Sequence, residues 1–124
     1  MLIDYAHTPD ALQEALKSIK NQFRDNISLV FGCGGERDFK KRPLMANVAK
    51  SFCKKIYVTD DNPRNESPKK IRKEIIQYLK GSDYFDIPNR IKAIKKAVIN
   101  AEPNEIILVA GKGHESFQDY GKKI

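Results

Sequence analysis

The stretch "VTDDNPRNES", Val58 to Ser67, sets two adjacent carboxylates, Asp60 and Asp61, beside an amide, a proline and an arginine. Acids next to an arginine suit a ligand carrying charges of both signs. A carboxylate can face an ammonium, while a guanidinium grips a carboxylate through two parallel hydrogen bonds. The same residue types also punctuate solvated turns, so composition alone leaves both readings open. Three further stretches concentrate chemistry-bearing residues. In "DYAHTPD", Asp4 suits a nucleotide ribose, a metal or a helix cap, and His7 either a cap or a ligand contact. "GCGGERDFKKRP" joins a glycine-rich loop to Arg37, Lys40, Lys41 and Arg42. Such a loop either makes a tight turn with positive φ or holds an anion on its backbone amides. "AGKGHES" places Lys112 between Gly111 and Gly113.

Several chemistries are missing. The phosphate-loop pattern G-x-x-x-x-G-K-[ST] occurs nowhere, and no G-x-G-x-x-G follows the first apolar run. No Ser/His/Asp or Cys/His set assembles, and no Cys/His spacing suggests zinc. Cys33 and Cys53 read as reduced, buried or half-buried thiols.

These stretches need elements to position them, and the patterning supplies them. "MLID", "ISLVF", "KIYVT", a weaker "YFDI" and "EIILVAG" read as strands. Between them, Ala11, Leu12, Ala15, Leu16, Ile19 and Phe23 recur at helical spacing, as do Leu44, Met45, Val48, Ala49 and Phe52. Ile71, Ile75, Ile76 and Leu79 form a third stripe, and "NRIKAIKKAVINA" a fourth helix. Thr8-Pro9 and Ser67-Pro68 are cap-then-proline starts. Strands alternating with helices predict an α/β domain: a Rossmann-like open, mostly parallel sheet with helices on both faces. In such sheets ligands bind outside the carboxyl ends of the strands. All four chemistry-bearing stretches follow strands, whereas "RDN", "KK" and "EPN" on the opposite edge are short and plain.

The 124 residues bound one domain with a real core. The net charge of +7 permits an anionic ligand, but the lysines scatter as on solvated helix faces. No apolar run approaches the ~20 residues needed to span a bilayer. No aromatic-basic interleaving points to nucleic acid.

In this order, "DYAHTPDAL", "FGCGGERDFKKRPLM", "TDDNPR" and "LVAGKGHE" resemble the C-terminal domain of the Mur ligases, across residues 3–115. They are most similar to the branch that adds the third amino acid of the peptidoglycan stem, and "DNPR" is similar to the form found in members adding meso-diaminopimelate. The resemblance implies a cytoplasmic, ATP- and magnesium-dependent acid–amino-acid ligase. It would activate the D-glutamate carboxylate of UDP-N-acetylmuramoyl-L-alanyl-D-glutamate as an acyl phosphate for attack by the amino acid's amine. By the same resemblance, Arg37, Asn62 and Arg64 hold substrate carboxylate, Asp61 and Glu115 face ammonium, Gly111 offers backbone, and Pro63 stiffens the turn. Asp4 corresponds to a nucleotide-ribose contact, with Tyr5 and His7 beside it. No catalytic residue or metal ligand is implied for this chain.

The family's UDP-sugar domain and its central domain, with phosphate loop and carbamylated lysine, fall outside residues 1–124. The arginine before the first motif and the aspartate-arginine segment after the last fall outside as well. The expectation is therefore an amino-acid-binding domain truncated at both ends, inactive alone and holding no cofactor by itself. ATP and Mg2+ would belong to the full-length enzyme, with no nucleic-acid or membrane partner. The alternative is a receiver-like phosphoacceptor domain built on Asp4, Asp60 or Asp61 and Lys112, although "DYAH" offers one acid where a receiver uses two.

Overall fold

Thr8 starts the first helix by accepting the Ala11 amide on its Oγ1 at 3.1 Å, with Pro9 at the first helical position. The computed structural model describes residues 2–4, 8–23, 26–34 and 40–111, the first three by backbone alone. Strands β1 (Leu2–Asp4), β2 (Ile27–Phe31), β3 (Lys55–Val58), β4 (Asp83–Asp86) and β5 (Ile106–Ala110) alternate with helices α1 (Pro9–Phe23), α2 (Lys41–Phe52), α3 (Pro68–Ile76) and α4 (Arg90–Asn100). The sheet order is β1-β5-β2-β3-β4, and every described pairing is parallel. The weak "YFDI" reading is β4, an edge strand offset by one residue, with acids at both ends.

Successive side chains of a strand point to opposite faces, and two cores follow. Leu29, Phe31, Ile56, Val58 and Leu108 pack with Leu12 and Leu16 of α1, Met45 and Ala49 of α2, and Ile71 and Ile75 of α3. Their strand neighbours Val30, Tyr57, Ile107 and Val109 pack against Ala93 and Ala97 of α4. The split follows from topology. The connections through α1, α2 and α3 step one way across the sheet; the α4 connection returns from β4 to β5, and a right-handed crossover then requires the other face. Tyr57 also stacks on Phe85 of β4, with ring centroids 4.7 Å apart.

Three details depart from the sequence reading. Leu44 is 52% exposed, and Ala11 is exposed too. The buried face of α2 is instead Arg42, Met45, Ala46 and Ala49, rotated from the apolar stripe so that it includes a charge. The Phe23 side chain lies outside the described residues. Ser67 caps α3 as expected, accepting the Lys70 amide, and Asn89 caps α4 in the same way through Lys92.

At the amino edge, Glu105 accepts hydrogen bonds from Ser28 Oγ and, at 3.0 Å, from Lys55 Nζ, which also donates to Asn100 O at 2.8 Å. Burial pushes the Glu105 carboxyl up, but these hydrogen bonds outweigh it and hold the group below its ordinary value of 4.5. A carboxyl depressed in the folded state adds stability that is present above its unfolded value and is lost as pH falls through the folded value. Glu105→Gln should therefore cost about 3 kcal/mol at pH 7, because it leaves Lys55 without its buried counter-charge. Urea unfolding should show that deficit shrinking as the pH drops below about 4.5; a constant deficit across that range would contradict the pairing.

Candidate functional site

The carboxyl ends of β2 and β3 meet with no room to spare. A Cβ at Gly32 would lie 2.1 Å from the Thr59 carbonyl oxygen. Gly32, the first glycine of "GCGG", is not left-handed. Close backbone approach, rather than positive φ, is therefore why glycine stands at position 32. Thr59 N donates to Phe31 O at 2.9 Å, extending the ladder past the strands. Thr59 Oγ1 and Asp60 N both donate to Pro88 O, at 2.9 and 3.2 Å, and so staple the loop after β3 to the loop after β4.

The turn that follows is held in an uncommon shape. Asn62 and Arg64 have φ of 41° and 56°, with Pro63 between them. Asparagine tolerates the left-handed region; arginine there costs roughly 1 kcal/mol or more. The Glu66 amide closes back on Pro63 O at 3.0 Å, and Arg64 Nη1 donates to Asn62 O at 3.2 Å. The cap of α3 comes from Ser67, so capping does not explain Arg64. Strained residues of this kind persist where the surroundings over-determine them, characteristically at ligand sites.

Asp61 and Gly111, predicted to share a site, do converge. Asp61 is 7% exposed, and one of its carboxylate oxygens lies 3.2 Å from where a Gly111 Cβ would stand. Gly111 has φ of 98°, the left-handed region that favours glycine, and an added Cβ would also crowd the Asp61 carboxylate. Arg90, at the start of α4, donates to Ala110 O at 3.0 Å and fixes the end of β5 beside them. Asp4 pairs in register with Ala110, which brings the end of β1 to the same corner. Cys33, Thr59, Asp61, Pro63 and Ile71 line one crevice beside the turn. Burial pushes the Cys33 thiol up to about 12, so it is no nucleophile at neutral pH.

Two arginines turn out to be internal braces. Arg72 of α3 donates to Asp60 and, at 2.7 Å, to Asp86 of β4. Asp60 therefore anchors the loop to α3, and a receiver reading loses one of its acids. Arg42, which the sequence sets just after the glycine-rich loop, is 1% exposed, and its fork grips Glu66 with two bonds of 2.8 Å. It also donates to Glu74 and, at 3.2 Å, to Gly34 O. Its fork is thus taken up by two carboxylates. A signal for both braces stood in the sequence. Arg42 sits at i−3 and i−4 from Met45 and Ala46, and Arg72 beside Ile71 and Ile75, on buried helix faces where a charge demands a partner.

Tyr5, His7, Arg37, Lys112 and Glu115 lie outside the described residues, as does the Asp4 side chain. Among the described residues no group of three His, Cys, Asp or Glu could hold a metal ion. No described helix is long and apolar enough to cross a membrane.

An open parallel sheet with helices on both faces and a strained, doubly charged turn at its carboxyl edge defines an α/β domain of the Rossmann-like class. The chain belongs to the family described as Mur ligase, glutamate ligase domain, whose profile matches residues 1–113. It is 52% identical to the UDP-N-acetylmuramoyl-L-alanyl-D-glutamate–2,6-diaminopimelate ligase of Rickettsia conorii, over 99% of this chain and 26% of that protein. Against the ligase of the same name from Haemophilus influenzae it is 46% identical, over 100% of this chain and 26% of that one. The chain thus spans about a quarter of the length of these curated relatives. A solved structure bearing that name superposes with a TM-score of 0.87 at 42% identity, covering 95% of this chain and 25% of that one. A folylpolyglutamate synthase from Thermotoga maritima, 20% identical with a TM-score of 0.64 over 87% of this chain and 24% of that one, shares the fold.

Proposed function

We propose that this chain is the amino-acid-recognition domain of a ligase that adds meso-diaminopimelate to UDP-N-acetylmuramoyl-L-alanyl-D-glutamate in peptidoglycan synthesis, in the cytoplasm. The observation that carries this reading is the turn itself: a guanidinium at Arg64 and a nearly buried carboxylate at Asp61 held on one rigid loop beside Gly111. Diaminopimelate differs from lysine by a carboxylate on the distal carbon, next to the ammonium. A lysine site needs an acid; this substrate also needs a planar bidentate cation, which lysine cannot imitate. Arg64 with Asn62 and Arg37 would take the carboxylate, Asp61 with Glu115 the ammonium, and Gly111 would offer backbone. Pro63 narrows the turn's conformations before ligand arrives, so less entropy is lost on binding. The names carried by relatives 46–52% identical over nearly the whole chain support the same substrate.

In this reading the domain binds and orients the amino acid, and activation of the acceptor carboxylate belongs to the rest of the protein. ATP and Mg2+ would be held mainly there, with Asp4, Tyr5 and His7 at the end of β1 contributing to the nucleotide. The test is a ligation assay on the full-length protein with ATP, Mg2+, the UDP-muramoyl dipeptide and either meso-diaminopimelate or lysine. Diaminopimelate should be preferred by roughly 30-fold or more in kcat/KM, and the 124-residue chain alone should form no product. A preference for lysine would refute the substrate, and ligation by the isolated chain would refute the division of labour.

A further inference from the structure

We propose that Arg42 is a positioning residue for amino-acid selection: it fixes the recognition turn to the glycine loop after β2, acting through Glu66. The inference rests on the functional reading above but is carried by separate contacts. Arg42 enters from the first turn of α2 and reaches three elements at once. Its two terminal nitrogens each bond one Glu66 oxygen at 2.8 Å; one also bonds Glu74 of α3, the other Gly34 O at 3.2 Å. Glu66 in turn closes the turn through its amide on Pro63 O at 3.0 Å. One residue thus links the buried fork to the proline flanked by left-handed Asn62 and Arg64. Two carboxylates raise the guanidinium's pKa, with the Glu66 hydrogen bond the largest cause and burial opposing it.

A plain helix tether does not require this arrangement. Apolar residues of similar volume hold helices together at least as well as a buried ion pair, whereas a bidentate fork fixes distance and plane. Lysine would keep the charge and lose the fork. The device therefore supplies geometry: it keeps Arg64 and Asp61 at a set distance from the loop that leads to Arg37.

The test uses the full-length protein with Arg42→Lys and Glu66→Gln. Glu66→Gln keeps shape and removes the charge-assisted pair, so it remains informative if the buried Arg42 substitution fails to fold. Each variant that folds should raise KM for meso-diaminopimelate about tenfold or more, with kcat and the KM values for ATP and UDP-muramoyl dipeptide within about twofold. Hydrogen–deuterium exchange should quicken at the amides of residues 61, 62 and 64–66 and stay unchanged in β2 and β3. Parallel rises in all three KM values, a wild-type diaminopimelate KM in either folded variant, or unaltered exchange in the turn would each overturn the proposal. Should the unsubstituted protein refuse diaminopimelate, the functional reading fails first, and exchange in the turn still decides the clamp.

Discussion

Gly32→Ala is expected to cost about 4 kcal/mol or more, enough to unfold the domain or leave it insoluble. The added Cβ would meet the Thr59 carbonyl oxygen at 2.1 Å and the Asp60 carbonyl carbon at 3.3 Å, both backbone atoms. No rotamer relieves such a contact. The end of β2 must move from the end of β3, breaking the Thr59 N to Phe31 O bond and tilting the whole loop after β3. Gly81→Ala is the matched control. It has φ of 87° but nothing within 4 Å, so only backbone strain of about 1 kcal/mol applies. Thermal melts should place Gly81→Ala within ~6 °C of the parent chain and Gly32→Ala at least ~12 °C below it. Equal shifts would mean that close approach is not the reason for the glycine.

The second large effect is on selectivity. In the full-length protein, Arg64→Ala and Arg64→Lys should each lose kcat/KM for meso-diaminopimelate by roughly 30- to 1000-fold, with use of lysine unchanged or improved. That range corresponds to about 2–4 kcal/mol for a charge-assisted bidentate contact in a partly desolvated site. Stability should move independently. Arg64 sits at φ of 56°, so Arg64→Gly removes the strain and should hold or raise the melting temperature while abolishing discrimination. If both amino acids lose activity by the same factor, Arg64 is a structural element of the loop.

Much of the fold was legible because each level of the sequence agreed with the next. Thr8-Pro9 and Ser67-Pro68 opened helices as their chemistry required, and the strand runs alternated with helical stripes. The gathering of chemistry at one edge followed from parallel strands, and Asp61 and Gly111 duly meet there. Tertiary packing decided the remainder. Leu44 faces outward because Arg42 occupies the buried face of α2, and an apolar count cannot reveal a charge satisfied by Glu66 and Glu74, 24 and 32 residues away. Asp60 read as the end of a strand, since its partner Arg72 lies one helix later. The left-handed turn was hidden as well, because Asn-Pro-Arg carries no glycine to announce positive φ. Arg90 was missed since Ala110 O, its acceptor, comes close only once β5 inserts between β1 and β2.

In the proposed function, the turn from Asp61 to Arg64 reads the distal end of the amino acid. The most direct measurement is a crystal structure of the full-length protein with meso-diaminopimelate bound. The distal carboxylate should lie on the Arg64 guanidinium with two parallel contacts of about 2.8 Å, and its neighbouring ammonium against the Asp61 carboxylate. Diaminopimelate bound elsewhere, or bound with Arg64 turned away and its carboxylate held by other groups, would contradict it.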